Sequence, residues 1–167
     1  MKQLLTISLT ALLGLSSCEN SSDWNLIKGM VHVELEKYHS AIGDFSKAIE
    51  LDPTGYEAYL GRGIAKAGLK DYDGALQDYS KAIELDPTGY EAYLTRGIAK
   101  DGLKDYAGAI QDLSKAIDLE PDFPEAYYKR GLLKIRDGEE ADGCADLSKA
   151  NALGLEEAHD MLEKYCD

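Results

Sequence analysis

Pairs of opposite charge recur in this chain of 167 residues at a spacing of sixteen. In three of them an arginine stands directly before a glycine, and an aspartate follows sixteen residues later. Such pairs could present charges to a ligand, or they could form buried structural ion pairs. Because they recur at a fixed interval, we favour the structural role. The pairs are Arg62 with Asp78, Arg96 with Asp112, Arg130 with Asp146, and a lysine version, Lys28 with Asp44.

Two cysteines near the carboxyl terminus could form a disulfide. Cys144 and Cys166 are equally distant from Leu155, which belongs to the predicted turn LGLEE. On two antiparallel helices joined by this turn the thiols would be level with each other, and export from the cytosol would permit their oxidation. Alternatively, both are small buried apolar side chains. The sequence leaves the two alternatives open.

Patterns typical of catalytic or metal centres are not found in the sequence. The three histidines, His32, His39 and His159, share no spacing, and only His159 lies near the two cysteines, which is too few ligands for a zinc site. There is no nucleophile elbow and no phosphate-binding glycine-rich loop. We therefore expect no enzymatic activity, no cofactor, no metal and no small-molecule substrate.

The amino terminus has the pattern of an export signal. Lys2 precedes an apolar run at residues 4–15, which is shorter than the roughly 20 residues that cross a bilayer. The next residues, LSSC, resemble the lipobox of bacterial lipoproteins, which implies removal of residues 1–17 and acylation of Cys18 with fatty chains such as palmitate. An ordinary secretory signal is the alternative. Glu19, in place of the aspartate that favours inner-membrane retention, points to the outer membrane.

The mature chain would be strongly acidic. The formal net charge is −13, and it becomes −14 once the leader takes away one lysine and no acid. Such a surface repels phosphate groups, because binding to them depends on clustered lysine and arginine. Nucleic acids and anionic lipid headgroups are therefore not expected partners.

A period of 34 residues organises most of the chain. Residues 52–85 and 86–119 differ at only six positions, and a period of this length indicates stacked structural units. Each period contains two helical patterns. A capping box formed by Thr54 and Glu57 predicts the start of the first helix, and Gly68 is predicted to end it in the left-handed conformation.

The apolar and small positions of this period resemble those of the tetratricopeptide repeat family. The resemblance implies an all-α fold, a right-handed α-solenoid of about four helix-turn-helix repeats with a carboxyl-terminal capping helix. Gly143 departs from the pattern, since alanine is usual there. The matching positions are Tyr59, Gly63, Tyr72, Ala75, Tyr79, Ala82 and Pro87, and again Tyr93, Gly97, Tyr106, Ala109, Ala116 and Pro121.

The period also predicts the organisation of the whole chain. The segments are a leader at 1–17, the lipidated cysteine with a short tether at 18–23, a degenerate first repeat at 24–51, three repeats at 52–85, 86–119 and 120–153, and a capping helix at 154–167.

By the same resemblance, the first helices of the repeats line a concave face that binds a peptide or a partner helix, with an acidic rim at Glu57, Glu91 and Glu125. The alternative is that these apolar residues only pack one repeat against the next. Two of the six differences, Gly61/Thr95 and Ala67/Asp101, fall on this face and could reflect a ligand or drift. The candidate residues are Leu60, Gly61, Ile64, Ala67, Leu94, Thr95, Ile98, Asp101, Tyr128, Lys129 and Leu132, with Ile27, Met30 and Arg136 at the ends.

The sequence thus predicts a scaffold or adaptor for protein–protein interactions, anchored by lipid at the bacterial cell envelope. A self-associating structural lipoprotein is the first alternative, and an envelope enzyme is the second. The fold alone does not choose among them, because one fold hosts many functions.

Overall fold

The computed structural model describes residues 21–166. The leader and Cys18, with the predictions made for them, lie outside these residues. In the described part of the chain every regular element is an α-helix, which confirms the predicted all-α solenoid of helix-turn-helix repeats. None of these helices has both the length and the apolar character needed to cross a bilayer.

Nine helices follow one another in this part of the chain. The first begins inside the segment predicted as tether, two residues before the expected start of the first repeat. The helices are α1 (Ser22–Glu34), α2 (Tyr38–Leu51), α3 (Tyr56–Gly68), α4 (Tyr72–Leu85), α5 (Tyr90–Gly102), α6 (Tyr106–Leu119), α7 (Pro124–Arg136), α8 (Glu140–Ala152) and α9 (Glu156–Tyr165).

Side-chain caps occur at the second helices of the central repeats. Asp71 accepts a hydrogen bond from the backbone N–H of Gly74 at 3.0 Å, so α4 begins where an N-cap aspartate predicts. The capping box predicted for α3 is wrong. Thr54 donates both its N–H and its hydroxyl to the carboxylate of Asp52, and Gly55 precedes α3 without a side-chain cap. Asp52 therefore organises the turn, and the Thr54 side chain binds Asp52 instead of capping α3.

The prediction for the end of α3 is also wrong. The left-handed residue is Lys70, with φ of 64°, whereas Gly68 is the last helical residue. A Cβ atom on Gly68 would lie 2.7 Å from the ring of Tyr38 in the preceding repeat, so this glycine makes room for an aromatic ring. In the fourth repeat Arg136 occupies the same position, and its guanidinium lies 5.0 Å from the ring centroid of Tyr106.

Packing places the first helices of the repeats on the inner side of the stack. Each helix packs on its neighbours in the chain, and α1 with α3 and α3 with α5 also contact each other, whereas the second helices make few or no such contacts. A stack whose first helices are closer together than its second helices curves toward the first helices. The core consists mainly of buried alanines, and the largest fully buried side chains, one in each repeat, are Phe45, Tyr79, Leu113 and Leu147.

The departure at Gly143 has a steric cause. A Cβ atom there would lie 2.7 Å from the carbonyl oxygen of Gly131, and one on Gly131 would lie 2.8 Å from the carbonyl oxygen of Gly143. These are distances that real Cβ atoms do not adopt, so α7 and α8 approach as closely as they do because both positions lack a side chain.

The carboxyl-terminal helix is held in place covalently. Cys144 on α8 and Cys166 after α9 form a disulfide, with their Cα atoms 5.7 Å apart. This decides between the two alternatives that the sequence left open. Ala158 of α9 is fully buried, so the helix covers part of the last repeat while the disulfide ties its far end.

Candidate functional site

The predicted charge pairs meet across each hairpin. Arg96 donates from Nε and Nη2 to the two carboxylate oxygens of Asp112, at 2.8 and 2.7 Å, and Asp112 is only 5 % exposed. The same two-pronged contact is made by Arg62 with Asp78 and by Arg130 with Asp146. Such geometry fixes both partners, because the guanidinium fork matches the carboxylate.

Each aspartate also binds a second cation, which the sequence reasoning missed. Lys100 Nζ lies 2.8 Å from Asp112, and the ring of Tyr93 lies beneath the Arg96 guanidinium at 5.6 Å. The sequence does contain a signal for this second cation, because the lysine recurs with the same period of 34. We call each such arginine, aspartate and lysine group an ion cluster; the lysines of the other two are Lys66 and Lys134.

The ion clusters also join consecutive repeats. Arg96 Nη1 donates to the hydroxyl of Ser80, which belongs to the second helix of the preceding repeat, at 3.3 Å. The hydrogen bond with Asp112 raises the pKa of Arg96, although burial acts in the opposite direction. The cations of the ion clusters are therefore bound by side chains of the protein itself and are not available to a ligand. Equivalent bonds join Arg62 to Ser46 and Arg130 to Ser114.

The first repeat carries a weaker version of this cluster. Lys28 Nζ lies 3.0 Å from Asp44, and His32 takes the place of the second cation with its Nδ1 on the other carboxylate oxygen. Lys28 is 44 % exposed, so water reaches this cluster more easily than the others.

The inner surface, as we call the face formed by α1, α3, α5 and α7, is part core and part open surface. Leu60, Ile64 and Ala67 pack against the buried core, and so does Leu94. Ile98, by contrast, is 40 % exposed. Packing between repeats therefore accounts for Leu60, Ile64, Ala67 and Leu94, whereas Ile98 is open to solvent.

Two apolar pockets open on this surface. The first, of about 290 Å³, lies between α1 and α3 and contains four of the predicted residues. The second, of about 410 Å³, lies between α7 and α9 and contains the predicted Leu132 and Arg136. The first is lined by Met30, Val33, Glu34, Phe45, Leu60, Gly61 and Ile64, and the second by Leu132, Ile135, Arg136, Met161 and Tyr165.

The first difference between the near-identical repeats, Gly61 in one and Thr95 in the other, depends on the aromatic ring that it faces in the preceding repeat. A Cβ atom on Gly61 would overlap the ring of Phe45, which requires glycine there. In the next repeat Tyr79 replaces Phe45, and Thr95 replaces Gly61. Burial raises the pKa of Tyr79, and a hydrogen bond with Thr95 opposes that rise. The neighbouring repeat therefore accounts for glycine beside Phe45 by packing and gives Thr95 a hydrogen-bond partner in Tyr79, and neither contact involves a ligand.

The second difference, Ala67 in one repeat and Asp101 in the other, depends on the side chain that it faces in the next repeat. Asp101 lies 2.8 Å from Arg136 Nη1, whereas the equivalent of Arg136 one repeat earlier is Gly102. Ala67 therefore has no arginine to pair with.

Lys129, also on the inner surface, lies 5.8 Å from the ring of Tyr128.

The histidines are dispersed over the structure as well. His39 and His159 are exposed and far apart in the chain, and only His32 joins an ion cluster. Among residues 21–166, no group of three or more histidine, cysteine, aspartate or glutamate side chains is placed to hold a metal ion.

Comparison with known proteins gives independent support for the fold. Models described as tetratricopeptide repeats match residues 25–54, 56–88 and 103–138, which together make up more than half of the chain. No curated protein matches the sequence.

Several different proteins of solved structure have a similar fold. A crystal structure of MamA is 25% identical over 92% of this chain and 86% of its own, with a TM-score of 0.76. The first repeat domain of Spaghetti (RPAP3), bound to the HSP90 peptide SRMEEVD, is 26% identical over 70% of this chain and 93% of its own, at 0.68. The Arabidopsis OM64 domain is 29% identical over 69% and 95%, at 0.68.

Folds of this kind are typically non-catalytic scaffolds for protein–protein interactions. Three successive family matches, the hairpin stack and the inner surface agree with one another. The chain is therefore a tetratricopeptide repeat protein.

Proposed function

We propose that this protein is a lipid-anchored scaffold of the bacterial cell envelope whose inner surface binds a segment of a partner protein. The observation that carries the proposal is the apolar pocket between α1 and α3, with Met30 at its edge and Leu60 and Ile64 within it. Met30 is 47 % exposed, and Ile98, one repeat beyond Ile64, is 40 % exposed. Clustered apolar exposure beside a concave pocket is typical of a binding surface.

The charges beside the pocket favour a basic partner. Glu34 lines the pocket itself, and Glu57, Glu91 and Glu125 stand in the first turns of α3, α5 and α7. The Spaghetti domain holds an acidic peptide, SRMEEVD. Here the arginines and lysines of the ion clusters are bound to aspartate and only about one-fifth exposed, so they offer little to an acidic segment, and we expect basic segments with apolar anchors to be preferred.

The anchor rests on the sequence of the amino terminus. Acylation of Cys18 would fix the scaffold to a membrane, and Glu19 favours the outer membrane. The experiment for this part is metabolic labelling with palmitate, in which the native chain should take up label and a Cys18→Ser variant should not. An unlabelled native chain would refute the anchor.

Crosslinking in cells tests the binding surface. A double variant with Met30→Lys and Ile98→Lys should abolish capture of partners. Each substitution replaces an exposed apolar side chain of the inner surface with a charged one. Leu103→Lys is the matched control, since Leu103 is 41 % exposed but lies in the turn after α5. Capture that is equal in the double variant and the control would refute the proposed surface. If the main captured species is the protein itself, the self-associating role replaces the adaptor role.

A further inference from the structure

The amino-terminal end of the stack exposes an apolar stripe along α1. Its members recur at spacings of three and four, so they lie on one side of the helix. Their exposed fractions run from 40 % to 57 %, and each is a large apolar side chain. We call this set the α1 stripe; it consists of Trp24, Ile27 and Val31 of α1 with Leu35, the residue that caps its end.

The repeat period shows that two members of the stripe occupy buried positions. The equivalents of Trp24 in the later repeats are alanines that are at most 4 % exposed, and the equivalents of Val31 are at most 3 % exposed. In those repeats the side chains pack against the preceding hairpin. Within the described residues, no hairpin precedes α1. The buried equivalents are Ala58, Ala92 and Ala126 for Trp24, and Ala65, Ala99 and Leu133 for Val31.

A further hairpin of the same kind does not fit this face. The contact between hairpins needs alanine at the position of Trp24, and an indole ring there would hold the two hairpins apart. The other end of the stack does not complement the stripe either, because α9 exposes Glu157, Asp160 and Glu163. Head-to-tail stacking of two copies would therefore place carboxylates against the apolar stripe.

We propose that the α1 stripe lies in the surface of the lipid bilayer, so that α1 is a second membrane contact beside the acylated cysteine. This inference rests on the proposed lipid anchor. Ser22 follows Cys18 by only four residues, which span at most about 14 Å when extended. An anchored Cys18 therefore keeps α1 at the bilayer, where the stripe binds as part of the same molecule.

The composition of the stripe suits the interfacial region. Tryptophan prefers the level of the headgroups, and an amphipathic helix lies there with its apolar side down. Asp23 and Glu34 flank the stripe on one side and Lys28 on the other, so a zwitterionic surface is favoured over an anionic one. With the α1 stripe on the bilayer, the remaining repeats rise away from the membrane and leave the inner surface of α3, α5 and α7 open, and Met30 at the first pocket is not a member of the stripe.

The chain contains a reporter for this contact, because Trp24 is its only tryptophan. The full acylated protein, reconstituted into phosphatidylcholine vesicles, should show a blue-shifted tryptophan emission, quenching by brominated phosphatidylcholine, and a severalfold drop in quenching by acrylamide. The Cys18→Ser protein in buffer should show a water-exposed tryptophan. Addition of phosphatidylglycerol to the vesicles should weaken the contact.

Substitutions separate the stripe from the anchor. Ile27→Glu with Val31→Glu should restore acrylamide quenching of Trp24 while the acyl chains still carry the protein upward in vesicle flotation. Leu103→Glu is the control, with exposure similar to that of Val31, and it should leave the fluorescence unchanged. Thermal unfolding of both variants checks that the fold is intact.

Each outcome has a distinct meaning. Flotation with a freely quenched Trp24 would overturn the α1 stripe as a membrane contact and leave the anchor standing. Absence of flotation would overturn the anchor and this inference together. Protection of Trp24 in the Cys18→Ser protein without lipid would also overturn the inference. In that case, a mass that rises with concentration identifies a second copy as the cover, and a constant mass identifies the chain's own amino-terminal segment.

Discussion

The carboxylate of Asp112 should contribute more to the stability of the fold than either cation that it binds. It accepts two hydrogen bonds from Arg96 and contacts Lys100 at 2.8 Å, in a site where the lysine and arginine side chains are about one-fifth exposed. Asp112→Ala leaves two largely buried cations without an anion between them. Removal of one partner from a buried pair costs about 3–5 kcal/mol, and the upper half of that range is expected here.

The complementary substitution should cost less. Arg96→Ala leaves Asp112 with Lys100 as a partner, so the loss is that of charge-assisted hydrogen bonds, about 1.5–3 kcal/mol. Asp44→Ala in the first repeat is the matched control. Its cluster is more open to water, through the exposed Lys28, and its loss should cost about 1 kcal/mol.

Urea unfolding followed by far-ultraviolet circular dichroism measures these differences at physiological salt. The double variant with Arg96→Ala and Asp112→Ala should cost less than the sum of the two single changes, because the second substitution removes a cation that the first one left unpaired. The reasoning is refuted if Asp112→Ala costs no more than Arg96→Ala, or no more than Asp44→Ala.

Two further predictions concern the carboxyl-terminal disulfide and a packing contact between two repeats. Cys144→Ser should lower the free energy of unfolding by about 3 kcal/mol, because the disulfide closes a loop with a sequence separation of 22, and reductant should destabilise the native protein but not the variant. Gly61→Ala should destabilise by about 1–3 kcal/mol through overlap with Phe45, although helix propensity alone predicts the opposite sign. The cost should shrink in a Phe45→Leu background, and thermal unfolding that shows a gain in stability for Gly61→Ala would contradict the steric account.

The repeat period made most of the architecture predictable. Arg96 and Asp112 lie equally far from the turn of their hairpin, so antiparallel packing alone brings them together. Cys144 and Cys166 follow the same geometry. The sequence could not decide whether those two form a bond, because equal distance from a turn places two Cβ atoms at one level without fixing their directions.

Predictions failed at the two ends of α3, where more than one residue can do the same task. Gly68 was expected to provide a left-handed conformation, but it provides space for Tyr38 of the preceding repeat, and Lys70 takes the left-handed position. Thr54 was expected to cap α3, but Asp52 accepts its hydrogen bonds first. A local pattern names the residues that can do a task, and the contacts of the folded chain decide which of them does it: the preceding hairpin for Gly68, and the turn before α3 for Thr54.

By itself the sequence determined the all-α repeat, its hairpins and the charge pairs, because these depend on spacing along the chain, which the period of 34 displays directly. Only the tertiary structure decided how the repeats fit one another. It placed Lys100 and Ser80 in the cluster of Arg96, matched Gly61 to Phe45, and left α1 with an uncovered apolar side. The physical reason is that these contacts depend on side-chain volume and direction between hairpins, and no spacing along one chain records either quantity.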